Sequence, residues 1–352
     1  GEQQALFLAR GLAAHGVEQL CVGQPERPYV ARCAEAGLPV EAVATRGEAD
    51  PAGVVRLARL FRRWRPDVVH CPTSHAHTLA VLARRLAGVG RVVVSRRVDF
   101  TISRSALRLS WYQSRFGVDR YLAISAGIKR QMVADGIPAE RITVVHSGID
   151  LARFEGVRPH DLAAEFGLPE GARIVGDVAA FGWHKAQEVL VRAVPRILER
   201  VPQTHVFLIG EGDCRPKIEA EIAALGLGDR VHLTGFRSDV PALIAGMDCF
   251  VMCSVLEGLC TSLLDALALR CPAVGSAVGG IPEVLVDGRR GLTVPPRDPA
   301  ALADAVVRVL TDGELADRLR DAGRRHVEDG FTVDSMVAGN LAVYRDLVGA
   351  AR

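Results

Sequence analysis

Short runs of β-branched and apolar residues recur along the chain, separated by longer segments whose apolar positions repeat every three or four residues. The runs EQLCVG, PDVVH, GRVVVS, DRYLAIS and RITVVH fall within the first 150 residues. ARIVGDVAAF, THVFLIG, RVHLTG, DCFVMCS and CPAVGS follow after residue 170. Between them lie PAGVVRLARLFRRWR, HAHTLAVLARRLAG and AQEVLVRAVPRILERV, each with a helical apolar stripe. Apolar strands alternating with helices of about 10–15 residues specify βαβ units, and so parallel sheets covered on both faces. Ten such strands are more than one doubly wound domain usually holds, so the pattern predicts two.

The rhythm breaks in HSGIDLARFEGVRPHDLAAEFGLPEG, which has Gly, Pro and charge but no clean strand. The expected division is residues 1–152, residues 153–330, and a final helix over 331–352 that has no strand after it and must pack on remaining apolar surface. The chain opens at a glycine–helix junction with no strand before it. A doubly wound sheet places its first strand at the centre, so either a short strand-bearing segment precedes residue 1, the favoured expectation, or the sheet closes differently.

The composition is that of a globular protein, 49% hydrophobic and 24% charged over 352 residues. No apolar run approaches the roughly 20 residues that span a bilayer, and the N-terminal helix is amphipathic, unlike a signal peptide; a cytoplasmic location is expected. The eight cysteines include no CxxC pair and read as buried reduced thiols. Net charge is only +2, but residues 1–150 carry +8 and the rest −6. A basic half beside an acidic one fits an anionic partner for the first half, or simply an arginine-rich solvated surface.

The segment SVLEGLCTSLLDALALRCPAVGSAVGGIPEVLVDGRRGLTVP is the richest in chemistry. A strand runs into a glycine turn and then a helix starting near Thr261, whose free N–H groups and positive dipole end suit a diphosphate. Glu257 precedes the turn, and Asp265 lies one helical turn inside. Spacing alone leaves them open as a flanking carboxylate pair or as surface residues. Lys185, at a strand's carboxyl end, is placed to neutralise a leaving phosphate or to be solvated. GEGD (210–213) has only GxG, which is weak and does not support a nicotinamide cofactor. In the first half His70, His75 and His77 cluster at a strand end without a zinc-ligand spacing. Arg96 and Arg97 form the densest basic point.

Taken in order, SAGIKRQMVADGIPAERITVVHSGID, HKAQEVLVRAVPRILERVP, GEGDCRPKIEAEIAALGLGDRVHLTGF and EGLCTSLLDALALRCPAVGSAVGGIPEVLVDGRRGLTVPPRDPAALADAV resemble the retaining glycosyltransferases of family 4. The likeness runs from Gly1 to about Phe331. It implies an α/β fold of the GT-B type: two Rossmann-like doubly wound domains with a cleft between them, the final helix crossing back to the first. By the same likeness Glu257 contacts donor-sugar hydroxyls, Asp265 binds the ribose hydroxyls and Lys185 contacts the diphosphate. The backbone of Leu259, Cys260 and Thr261 cradles phosphates and sugar; Gly235, Phe236 and Arg237 meet the base; Gly1 belongs to a loop facing the phosphates. The family's HxH reads His70-Cys71-Pro72, with His75 a candidate replacement. Ala186, Cys260 and Arg270 stand where the family has glycine, and Asp265 where it usually has Glu.

The resemblance implies retaining, metal-independent transfer of a sugar from a UDP- or GDP-linked donor, with no cofactor beyond the nucleotide sugar as co-substrate. The expected acceptor is a glycan or lipid-linked saccharide, as in cell-envelope or lipopolysaccharide synthesis, held by Arg96 and Arg97, with peripheral association to an anionic membrane. Nucleic acid is not an expected partner, since no aromatic platforms accompany the basic half. The alternative from another class is a non-catalytic nucleotide-sugar or glycan-binding protein on the same fold. Epimerase and phosphorylase readings also share that fold, though no distinct pyridoxal lysine motif is present.

Overall fold

The apolar runs become strands and the striped segments become helices in a computed structural model that describes residues 1–47, 50–97 and 117–349, the side chains of Ser74 and His75 excepted. The chain divides into two units, Gly1–Gly148 with Thr332–Arg352, and Ile149–Phe331.

In the first unit β1 (Cys21–Gly23) pairs with β2 (Val40–Ala42), and β3 (Val68–Cys71), β4 (Arg91–Arg96), β5 (Arg120–Ala123) and β6 (Ile142–Val144) form a second sheet in that order. All pairings are parallel. β4 shows why: Val92, Val93 and Val94 are all buried, as a strand covered on both faces requires. The helix Pro51–Trp64 starts on the Asp50 side chain, which accepts from the Ala52 N–H, with Pro51 in the first turn. Its buried Leu57, Leu60 and Phe61 meet Leu79 and Ala83 of the helix Ser74–Ala87. The final helix, Val333–Gly349, packs Met336, Val337 and Leu341 against Phe7, Leu8 and Leu12 of the helix Glu2–Ala14. A Cβ on Gly11 would lie 2.3 Å from Val337 Cγ2, so this approach depends on that glycine.

The second unit is one six-stranded parallel sheet: β7 (Arg173–Val178), β8 (Thr204–Ile209), β9 (Val231–Gly235), β10 (Cys249–Met252), β11 (Ala273–Ser276) and β12 (Leu292–Val294) in the order β12-β11-β10-β7-β8-β9. Helices Gln187–Arg200 and Pro299–Thr311 bury Leu190, Val194, Ile197, Leu302 and Val306 in its core. The described residues hold twelve strands where the pattern predicted ten. The two extra, β2 and β12, are three residues each.

Candidate functional site

In the second unit the strand order reverses at β7. From β7 the chain runs outward through β8 to β9, then returns to β7's other side for β10 and continues away through β11 to β12. Turns leaving the two strands at such a reversal diverge, opening a crevice at the carboxyl end of the sheet. Lys185 follows β7 and Glu257 follows β10, so these two flank the crevice.

Local bonds fix both turns. The Lys185 N–H donates to Gly182 O (2.9 Å), and the Val255 N–H donates to His184 O (2.8 Å), tying one turn to the other. The Cys253 thiol lies 3.4 Å from Lys185 O and 3.2 Å from Ala186 O. Ala186 adopts a left-handed conformation (φ 53°, ψ 41°) as the residue before the helix Gln187–Arg200. Lys185 Nζ donates to Glu257 Oε2, which also faces Ser254 Oγ at 3.4 Å. Behind Glu257 sits Gly279 (φ +54°), where a Cβ would be 1.6 Å from Glu257 O. The glycine is therefore required for the turn that presents Glu257.

Both members of the pair are largely shielded, at 17% and 12% side-chain exposure. Burial works against charge on Lys185, but the negative groups around it, with Glu257 accepting its hydrogen bond, outweigh it and hold Lys185 above the ordinary lysine value. Asp177, fully buried on β7, is pushed up to about 7, chiefly by burial.

The helix Thr261–Ala268 opens beside the pair. Cys260 precedes it in an extended conformation (φ −75°, ψ 104°), with no side-chain cap to occupy the first N–H groups. That backbone is open to any residue type, which is why a cysteine is accommodated where glycine was expected. Leu259 and Cys260 are buried, Thr261 is exposed, and burial holds the Cys260 thiol protonated. One turn on, Asp265 is half-buried, and its buried Oδ1 lacks any hydrogen-bond partner. Burial pushes its carboxyl up to about 6 although Arg153 draws it down.

Gly235 ends β9, two strands from β7, and Phe236 and Arg237 follow it. Gly235 is left-handed (φ +74°), and Phe236 is 82% exposed. Arg237 is committed: its guanidinium grips Asp239 (2.8 and 2.7 Å) and Glu165 (2.6 and 3.3 Å), which raise it above the ordinary arginine value. Phe236 is therefore the accessible side chain of the three.

The remaining candidates lie in the first unit. Gly1 is the exposed residue before the helix Glu2–Ala14. His75 stands in the first turn of the helix Ser74–Ala87, and its side chain lies outside the described residues. Arg96 ends β4. Arg97 bonds Ser147 Oγ at 2.9 Å, while its Nε has no partner; burial pulls it down to about 10. His70 is fixed between Ser95 Oγ (2.8 Å) and the Tyr344 hydroxyl of the final helix, and burial drives its pKa down to about 3. His77 is buried, edge-on to Tyr121.

Two residues gave no clear signal in the sequence, and a third feature, the GEGD turn, gave only a weak one. Asp177 and Gln187 are polar but fully buried, beneath the Lys185 turn. A lone Asp inside an apolar strand was the only signal. Gly210 and Gly212, in the GEGD turn, let it close on β7's turn: Cβ atoms there would lie 2.0 Å from Ala179 O and 2.6 Å from Phe181 O. Among the described residues no group of three or more His, Cys, Asp or Glu is placed to hold a metal ion, and no helix is long and apolar enough to cross a membrane.

The family descriptions "Glycosyltransferase Family 4" and "Glycosyl transferases group 1" match residues 1–153 and 160–326. The 2-deoxystreptamine glucosyltransferase of Streptomyces kanamyceticus is 30% identical, over 99% of each chain. A Rickettsia africae glycosyltransferase superposes with TM-score 0.86 at 18% identity, over 99% of this chain and 94% of that one. HepE of Anabaena, solved with UDP and glucose, does so with TM-score 0.82 at 18% identity, over 98% and 95%. The fold is GT-B. A relative matched end to end at that identity, and two family descriptions that meet at the junction of the units, establish that the chain belongs to glycosyltransferase family 4.

Proposed function

We propose that this glycosyltransferase takes its sugar from a UDP- or GDP-linked donor bound at the carboxyl end of the second unit's sheet, and transfers it with retention and without a metal ion. The observation that carries the reading is the Lys185–Glu257 pair at the strand-order reversal, beside the uncapped start of the helix Thr261–Ala268. Lys185 and the helix N–H groups supply positive charge where a departing diphosphate develops negative charge, the electrostatic contribution a divalent ion would otherwise make. Glu257 is then free to accept donor-sugar hydroxyls. The donor-less Asp265 Oδ1 suits a ribose hydroxyl, and the exposed Phe236 ring suits the face of a base.

The acceptor we propose is an anionic glycan or lipid-linked saccharide, handled by the first unit. Its support is the charge of +8 over residues 1–150 and the unserved Nε of Arg97. The test is transfer assayed with UDP-glucose and GDP-mannose, with anomeric configuration read by NMR and with EDTA added. Retained configuration and EDTA-insensitive turnover are expected. Inversion, or loss of turnover with EDTA, contradicts the mechanism. Donor binding with no transfer to any acceptor would point to a binding protein on this fold.

A further inference from the structure

Beneath the Lys185–Glu257 pair lies a group the transfer chemistry does not use. Asp177 is 0% exposed and sits two residues along β7 from Val175, on the same face, in the core covered by the helix Gln187–Arg200. Its Oδ1 has one long contact, 3.5 Å from Gln187 Nε2, and its Oδ2 has no donor at all. Gln187 is itself fully buried, spends its amide on Ala180 O (3.3 Å), and its Oε1 also lacks a donor. Lys185 donates to Glu257, and its charge also acts on Asp177 without a hydrogen bond between them.

A buried carboxylate without a donor or a cation of its own is neutralised by a proton. We propose that Asp177 is a positioning residue of the donor site: it carries a proton while Lys185 serves the donor diphosphate, and by losing that proton it competes for Lys185 and weakens donor binding. The inference rests on the proposed donor site. The competing charges are few. Lys185 and Gln187 favour the ionised form, while burial and Glu257 oppose it; burial dominates and the group titrates near 7. The Cys253 and Cys260 thiols nearby are held protonated by burial, and Lys185 stays charged. His184, beside Lys185 and Glu257, is lowered by burial and titrates below this range, as does Asp265, at about 6. Of the groups around Lys185, Asp177 is therefore the one expected to titrate between pH 6.5 and 8.5, and the Gly1 amine, lowered from its ordinary value by burial, is separated from it by the Asp177→Asn variant. A bound diphosphate adds negative charge near Lys185, so donor and proton bind cooperatively, and the donor is lost as pH rises.

The test is calorimetric titration of UDP-glucose and GDP-mannose into the full chain between pH 6.5 and 8.5. These sugar diphosphates carry no phosphate that titrates there. For the wild type, Kd is expected to weaken by about tenfold across the interval, the scale for one linked proton whose pKa shifts on binding. In Asp177→Asn, which keeps shape and removes the titration, Kd should stay constant within about twofold and match the wild-type value at pH 6.5. Should the variant fold poorly, wild-type heats in buffers of differing ionisation enthalpy report the same linkage as about one proton taken up at pH 8. An unchanged pH dependence in Asp177→Asn, or no proton uptake by the wild type, overturns the proposal and leaves the donor site standing. If neither donor binds at any pH, the donor site and this inference fall together.

Discussion

In the second unit Lys185 is held against Glu257, and every charge near the strand-order reversal has an opposite charge or a proton to balance it. In the first unit Arg97 is also largely enclosed, yet its hydrogen bond among the described residues is to the Ser147 hydroxyl, with Nε unserved. The contrast separates two ways of meeting an anion. At Lys185 a ligand must displace an internal partner, which makes binding selective and sensitive to proton balance. At Arg97 a ligand completes a group left incomplete, which makes binding additive and sensitive to screening by salt. The overall charges, −6 beyond residue 150 and +8 before it, carry the same division over longer range.

Each side of the contrast can be broken. Lys185→Ala is expected to have the largest effect, lowering transfer by about 10²–10³-fold through lost stabilisation of the leaving diphosphate. It also strands Glu257 without its partner, so the second unit's melting temperature should fall; steady-state kinetics and calorimetry read the two effects separately. Gly279→Ala comes next. A Cβ that would lie 1.6 Å from Glu257 O must push the turn aside, and a loss of about 10–100-fold in transfer is expected from misplacement on the order of 1 Å. Arg97→Gln should raise acceptor KM by about tenfold, flatten its salt dependence and leave stability unchanged or improved, since a half-buried charge that has no carboxylate partner among the described residues is removed.

The smallest effects concern stability alone. Ala186 and Arg270 both occupy left-handed backbone, with φ of 53° and 60°. Replacing either by Gly should stabilise the second unit by up to about 1 kcal/mol, or roughly 2–4 °C, read by differential scanning calorimetry. Asp177→Asn adds a pH signature. Its folded value near 7 lies above the unfolded value of 3.8, so the wild type loses stability as pH rises between them. The variant should gain in melting temperature over the wild type at pH 8 relative to pH 4.

Much of this was legible before any coordinates. Period and strand composition located ten of the twelve strands among the described residues, and Lys185 and the glycine turn at Glu257 stood out at strand ends. The departures from family glycines at Ala186 and Arg270 carried a physical message, because both fall where backbone twists into the left-handed region, whereas Cys260 does not. What was not legible depends on partners distant in sequence. Arg237 reads as a candidate base contact, but Glu165, 72 residues earlier, already holds it. Asp177 reads as an interruption in a strand until Gln187 and Lys185 are folded over it. Gly279 acquires its meaning only against the carbonyl of Glu257. β2 and β12 were not picked out by the pattern of apolar runs.

The central claim is that the donor diphosphate is bound in the second unit, at the Lys185–Glu257 crevice. It is tested most directly by titrating UDP-glucose and GDP-mannose, at pH 6.5, into the wild type, Lys185→Ala and Arg97→Gln. The account predicts that Lys185→Ala weakens Kd for the bound donor by about tenfold or more, the scale of one charged hydrogen bond, while Arg97→Gln leaves it within about twofold. Donor affinity unchanged in Lys185→Ala and lost in Arg97→Gln would contradict it.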